Sequence, residues 1–134
     1  MKISSKGRYA VRVMAELAKN ENEYISVATL SEKQDITSKY LEQILAKLVK
    51  ANLVESTRGV QGGYRLKKPA KEYSIADILK VTGDLPELVP CIAHKIQCPR
   101  AENCDSIGCW DKLSSLITNY LSSLTLDDLV NKKF

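Results

Sequence analysis

The chain has 134 residues, 44% of them hydrophobic and 27% charged, with a net charge of +4. That length suits one domain with a modest core, which so short a chain can complete by pairing with a second copy. No apolar run approaches the ~18 residues that cross a bilayer. The start, MKISSKGRYAVRVMAELAKNENE, does not read as a secretory signal. Arg8, Arg12 and Glu16 interrupt its apolar positions and no small-residue cleavage site follows. The expected compartment is the cytoplasm, where thiols stay reduced, and this disfavours a disulfide scaffold. Charge is uneven: residues 1–72 carry 14 Lys and Arg against 8 Asp and Glu, net +6, whereas residues 73–134 carry 6 against 8, net −2. A basic front half suggests a polyanion partner.

Taken in chain order, Ser4 or Ser5 caps a helix running to about Asn20, with Tyr9, Val13, Met14, Leu17 and Ala18 on one stripe. After the polar turn NENEY, Ser26 caps a short second helix with Val27 and Leu30 inward, ended by Gln34-Asp35-Ile36. Thr37 caps a third helix, SKYLEQILAKLVKAN. Its buried face is Tyr40, Leu41, Ile44, Leu45 and Leu48; Ser38, Lys39, Glu42, Gln43 and Lys47 face outward. Leu53 to Thr57 and Tyr64 to Leu66 read as short strands. Arg58 to Gly63, with three glycines, join them into a hairpin with a flexible tip. Ser74 and Asp77 form a capping box for a short helix ending near Gly83. A loop of about two dozen residues holds the cysteines. From about Gly108 a long amphipathic helix carries Trp110, Leu113, Leu116, Ile117, Tyr120, Leu121 and Leu124. Thr125 and Asp128 cap a final turn, LDDLV.

Three helices followed by a glycine-tipped hairpin is the order of a winged helix-turn-helix. The expected fold is therefore mainly α: a winged helix-turn-helix over residues 1–83, a cysteine-containing loop over 84–108, and a long C-terminal dimerisation helix with its final turn over 109–134. The third helix is short, capped and polar outside, and fits a major groove ~12 Å wide. At the hairpin tip the glycines permit close backbone approach while Arg58 reaches into a minor groove. Lys2, Lys6, Arg8, Lys39 and Lys67 are candidates for phosphate contacts. In the long helix, positions 110, 113, 117, 120 and 124 alternate at three and four residues, as in a helix-pairing seam. A dimer suits such a protein, because two copies read two half-sites about one DNA turn apart.

All four cysteines, Cys91, Cys98, Cys104 and Cys109, and the only histidine, His94, fall between Cys91 and Trp110. No Cys-x2-Cys knuckle exists, which counts against structural zinc. An iron–sulfur cluster is larger and accepts wider spacing with thiolates as its main ligands. The segment contains Pro99 and many polar residues, so something other than an apolar core should order it. Buried thiols remain a further reading, strongest for Cys109 beside Trp110.

The stretches SKGRYAV, YLEQ, RGVQGGY, the cysteine loop and LTLDDLVN, in this order, resemble the IscR-type iron–sulfur regulators of the winged-helix repressor family. The resemblance covers nearly the whole chain. It implies a homodimeric transcription factor whose cluster loop modulates DNA binding. By position it places Thr37, Ser38, Tyr40, Glu42 and Gln43, with Lys39 among them, on the recognition helix. It places Arg58, Gly59, Gln61, Gly62 and Gly63 on the wing. Cys91, Cys98 and Cys104 match the three cluster cysteines, implying an iron–sulfur cluster, 2Fe-2S in type, with zinc as the alternative cofactor. The first spacing is one residue longer than the family pattern. Where the family places a histidine ligand, this chain has Ile107, which cannot bind iron. The candidates for the fourth ligand are Cys109, chemically preferred as a thiolate, His94, or a group from the other subunit. The nitric-oxide-sensing branch uses an acidic residue near position 8, and Arg8 argues against that branch.

The resulting expectation is a cytoplasmic, dimeric regulator, a repressor in type, that binds double-stranded DNA and senses cluster or redox status. It has no membrane partner and no catalytic constellation, so it is not expected to be an enzyme. The alternatives are a zinc-stabilised winged-helix interaction module and a thiol-based redox-sensing regulator without a cluster. A thiol enzyme or redox carrier would need a Cys-x-x-Cys motif and a βαβ pattern, and neither is present.

Overall fold

The first three helices of this chain begin where a short side chain accepts from a free backbone N–H. Ser4 opens α1 (Ser5–Ala18) by accepting from Gly7, Ser26 opens α2 (Val27–Gln34) through Thr29, and Thr37 opens α3 (Ser38–Lys50) through Tyr40. Each such cap is worth about 1 kcal/mol over alanine. The computed structural model describes residues 2–85, 87–93 and 98–134. Between α2 and α3 the chain reverses at Asp35, whose left-handed backbone (φ 53°) a short polar side chain tolerates.

The wing follows α3. Strands β1 (Val54–Thr57) and β2 (Gly63–Leu66) pair antiparallel, with Val54 opposite Leu66 and Thr57 opposite Gly63. The second strand is also fastened to the turn before α2. Ile25 donates to the Tyr64 carbonyl at 2.8 Å, and Tyr64 donates back at 2.9 Å. Gly63 makes this approach possible: its φ is +154°, and an added Cβ would lie 2.3 Å from the Ile25 carbonyl oxygen. At the base of the hairpin the Tyr73 hydroxyl donates to the Leu53 carbonyl at 2.7 Å. It accepts from the Lys67 and Lys68 N–H groups at 3.1 and 2.9 Å. The ring is buried, and that burial pushes the phenol above its usual pKa.

A 3₁₀ turn at Ala70–Glu72 leads to α4 (Ile75–Thr82), opened by the Ser74–Asp77 capping box and closed by Gly83 at φ 75°. The expected cysteine loop is not wholly irregular. It contains a short helix α5 (Pro90–Ala93) and a 3₁₀ turn at Ala101–Asn103. Helix α6 (Ile107–Ser123) starts one residue before the expected Gly108. It stops short of Leu124, which is its extended C-cap and so lies outside the expected stripe. Helix α7 (Leu126–Val130) opens with the expected Thr125–Asp128 box.

The core is assembled around α1. Ala10, Val13, Met14 and Leu17 meet Leu30 of α2, Leu41, Ile44, Leu45 and Leu48 of α3, the strand residues Val54 and Leu66, and Ile78 and Leu79 of α4. Burying one such aliphatic side chain contributes about 1.5–3 kcal/mol. Leu126 closes this core from the other end of the sequence, fully buried, while Ser74 and Thr125 form an isolated bridge beside it. The chain after α6 thus returns to pack on α1. In contrast, α6 packs on α4 but has no fully buried residue.

One charge lies inside this apolar frame. Glu16 of α1 is only 6% exposed. It accepts from Gln34 Nε2 at 2.8 Å, Lys33 Nζ at 3.2 Å and Lys19 Nζ at 3.3 Å. Burial pushes its pKa up, but the hydrogen bonds and charges of Lys33 and Lys19 outweigh that and hold it below the ordinary 4.5. A carboxylate whose pKa is lowered by folding adds stability above its unfolded pKa and loses it as pH falls through the folded one. Thermal melts from pH 7 downward should therefore show wild-type stability dropping below about pH 4.5, with a smaller drop in Glu16→Gln. Equal acid sensitivity in the two proteins would contradict this. Leu126→Ala should cost about 2–5 kcal/mol in urea unfolding, because it empties a closed site between α1 and α7.

Candidate nucleic-acid interface and cysteine segment

The third helix presents an exposed row. Thr37, Ser38, Lys39, Glu42, Gln43, Ala46 and Lys47 are exposed, while Leu41, Ile44, Leu45 and Leu48 hold the helix to the core. Helical spacing sets Ser38 beside Glu42 and Lys39 beside Gln43. The row is anchored at its start, where the Thr37 hydroxyl accepts from the Tyr40 N–H at 3.3 Å. Tyr40 differs from its neighbours. Its half-buried ring stands edge-on to Tyr9 of α1, with centroids 5.7 Å apart and planes at 81°. That places it as a spacer between α1 and α3 rather than in the outward row.

At the wing tip, Arg58, Gly59, Val60 and Gln61 are exposed. Gly62 is half-buried and belongs to the turn itself. Its N–H donates to the Gly59 carbonyl at 3.0 Å, and an added Cβ would lie 2.6 Å from the Thr57 carbonyl oxygen. Behind the tip, Arg65 pairs with Glu55 at 2.5 Å and lies over the Tyr24 ring at 4.3 Å, so the strands are braced against the turn before α2. Of the cations proposed for phosphate, Lys2, Arg8, Lys39 and Lys67 are exposed. Arg8 donates to the Ser5 hydroxyl and Lys67 to the Asn52 side-chain oxygen, whereas half-buried Lys6 lies near the Asp84 carboxylate.

Two placing groups were not visible in the sequence pattern as such. Glu16 and Arg12 hold the end of α2. Arg12 Nε donates to Gln34 Oε1 at 3.1 Å, its Nη2 donates to the Gln34 carbonyl, and its guanidinium lies over the Tyr9 ring. The available signal was an acidic residue at a core position of α1, between Val13 and Leu17.

Among the four thiols, Cys91 in α5 and Cys104 are half-buried, while Cys98 and Cys109 are exposed; all four are free. Cys104 stands before α6 in extended backbone and Cys109 in its first turn, so the two are not on one helix. Ser106 occupies the N-cap position of α6 but makes no side-chain cap. Its hydroxyl lies 3.4 Å from the Cys104 sulfur. That hydroxyl and the Ser106 and Ile107 backbone N–H groups lower the Cys104 pKa against the opposing effect of burial, favouring the thiolate. Among the described residues, no three His, Cys, Asp or Glu side chains are gathered closely enough to hold a metal ion. His94 lies outside the described residues. The donor set is chemically suited to a thiolate-ligated group, but its described members are not assembled around one point.

No helix among the described residues is long and apolar enough to cross a membrane. The model of the Rrf2 family, described as an iron-dependent transcriptional regulator, matches residues 3–132. An HTH-type transcriptional regulator IscR from Pectobacterium atrosepticum is 37% identical over 134 residues, covering 99% of this chain and 81% of the relative. Two solved structures share the fold. CymR, the global cysteine regulator of B. subtilis, is similar with TM-score 0.82 and 30% identity over 98% of both chains. T. potens IscR has TM-score 0.76 and 32% identity, over all of this chain and 89% of that one. The winged helix, its exposed α3 and the match across nearly the whole length agree: the chain belongs to the Rrf2 family of transcriptional regulators and is not an enzyme.

Proposed function

We propose that the chain is a cytoplasmic, homodimeric repressor whose hold on promoter DNA is set by a 2Fe-2S cluster. Cys91, Cys98 and Cys104 would hold that cluster, with Cys109 completing the set and zinc as the lesser alternative. The observation that carries this reading is the Cys104 site. A free thiol, biased toward thiolate by the start of α6, sits in a segment holding every cysteine of the chain. When bound, such a cluster supplies a redox-labile link between thiolates. The chain's own contribution is to close the segment around those thiolates. Because the described thiols stand apart, holding one group would draw the segment together, and DNA affinity changes only if bound and free forms favour different dimers.

On the DNA side, Ser38, Lys39, Glu42 and Gln43 read the major groove, with Thr37 capping and Tyr40 spacing the helix. Arg58 and Gln61 enter a minor groove where Gly59 and Gly62 let the backbone approach. The dimer seam is the exposed face of α6, where Trp110, Leu113, Leu116 and Tyr120 are 40–54% exposed. Leaving such a stripe in water forfeits burial of about 25 cal/mol per Å². A second copy covers it. Beside it runs a mainly apolar groove of about 320 Å³ between α1, α4 and α6, lined by Ile3, Tyr9, Val11, Ile75, Leu79 and Leu121 together with Arg8 and Arg12.

A second reading is favoured by the same thiol: a cluster-free sensor in which Cys104 is oxidised directly. The structural likeness to CymR, solved from Staphylococcus aureus in an oxidized form, supports it. Anaerobic purification separates the readings. A coloured protein with matched iron and sulfide, bleached in Cys98→Ala and Cys104→Ala, supports the cluster. Colourless, metal-free protein whose DNA binding is switched reversibly by oxidant supports the thiol, and stoichiometric zinc rejects both. Arg58→Ala should weaken binding to a selected duplex by about 1–3 kcal/mol and reduce its salt dependence by about one contact. Unchanged affinity would remove the wing from the interface. Tyr120→Glu should shift sedimentation from dimer toward monomer; a wild-type monomer would refute the seam.

A further inference from the structure

Asp84 is a nearly buried carboxylate, 9% exposed, that binds groups 80 residues away. Its Oδ1 accepts from the Ser4 N–H and its Oδ2 from the Ser4 hydroxyl, both at 2.8 Å. That same hydroxyl accepts from the Gly7 N–H at 3.1 Å and so caps α1. One side chain therefore fixes both the position and the orientation of the capping residue. Gly7 makes the room: a Cβ there would lie 2.6 Å from Asp84 Oδ2. The Asp84 backbone is itself fastened to α4, donating to the Leu79 carbonyl at 2.8 Å.

Asp84 is also where the chain leaves the winged helix. Cys91 follows seven positions later. On the other side of the contact, Tyr9 lies two residues beyond Gly7. Its ring meets the Tyr40 ring of α3, which lies within one turn of each of Ser38, Lys39, Glu42 and Gln43. From the start of the cysteine segment to the recognition helix there are thus two side-chain contacts and one turn of a rigid helix between them. Hydrogen bonds to an ionised acceptor are short and directional. Packed helices shift between discrete seats rather than deforming smoothly.

We propose that Asp84 is a positioning residue, converting the disposition of the cysteine segment into the seat of the first turn of α1. Through Tyr9 and Tyr40, that seat sets how α3 is presented to DNA. The proposal rests on the reading that the segment governs DNA binding. It requires that Asp84 holds Ser4 differently in the two states of the segment, since only a differential interaction shifts an equilibrium.

The test uses full-length dimers and one duplex, selected from random-sequence DNA for binding to the wild-type protein. Affinity is measured for wild type and Asp84→Asn, each with Cys104 intact and with Cys104→Ser. Asparagine keeps the volume but turns one acceptor into a donor facing Ser4. In the wild-type background, disabling Cys104 should change affinity by about fivefold or more. In the Asp84→Asn background that ratio should fall to about one. Ser4→Ala, which keeps the backbone contact and loses the hydroxyl, should lie between and serves if Asp84→Asn does not fold. If Asp84→Asn lowers both affinities by one factor and keeps the wild-type ratio, Asp84 only supports the fold and the proposal is overturned. If the wild-type ratio is itself one, the sensing reading fails first, and that failure is seen without any Asp84 variant.

Discussion

Helix α1 is the member on which α2, α3, α4, α7 and strand β2 are seated, and the need to surround it shapes the molecule. A chain of 134 residues has no second layer to spare. Its one core must therefore be built on a helix that is apolar on more than one side. Ala10, Val13, Met14 and Leu17 are buried against α2, α3, α4 and α7 together. Ser4, Tyr9 and Glu16, at and within α1, add directional contacts with the same neighbours. Ser4 is held by Asp84 after α4, Tyr9 meets Tyr40 of α3, and Glu16 gathers Lys33 and Gln34 of α2. The apolar contacts supply stability without direction. The polar joints supply direction, because a hydrogen bond that is off its angle leaves a buried group unpaid.

That division explains which features the sequence disclosed. Caps are local chemistry, so Thr37, Ser74 with Asp77, and Thr125 with Asp128 could be read three residues at a time, and the structure places each at a helix start. The glycine-tipped hairpin was legible for the same reason. The joints around α1 were not, because each pairs residues far apart in the chain. Asp84 follows a helix-ending glycine, where a polar residue signals only a turn, and nothing local names Ser4 as its partner. Leu126 looked like part of a terminal turn, yet it fills the core. Leu124 matched the helical stripe but serves as the extended cap of α6, since the chain must bend there for Leu126 to reach α1. At the candidate site the outward row of α3 was readable from periodicity alone. Tyr40 was read both as buried and as part of the interface, and its ring proves to be a contact between helices.

The back half of the molecule follows different physics. From Leu85 to Ser106 apolar residues are about as frequent as in the whole chain, yet the described cysteines are exposed or half-buried. Helix α6 is the reverse case: it packs on α4, but Trp110, Leu113, Leu116 and Tyr120 stay exposed. A segment that leaves its thiols accessible and a helix that leaves an apolar face exposed are two demands in adjacent stretches, and they call for different agents. Thiol chemistry can order the first, and a second copy can cover the second.

Ser106 stands where these two demands meet. As the residue before α6 it would ordinarily spend its hydroxyl on a backbone N–H, the usual way to satisfy a helix start. Instead the hydroxyl lies against the Cys104 sulfur, and the Ser106 and Ile107 N–H groups face the same thiol. The start of the helix is therefore incompletely capped while Cys104 is a neutral thiol, and better satisfied when it carries negative charge, since anions favour the positive end of a helix. Any event that changes the charge or the position of that sulfur alters the stability of the first turn of α6, which carries Cys109 and Trp110. The thiol and the start of the helix thus meet within one turn, at the point where the cysteine segment becomes α6.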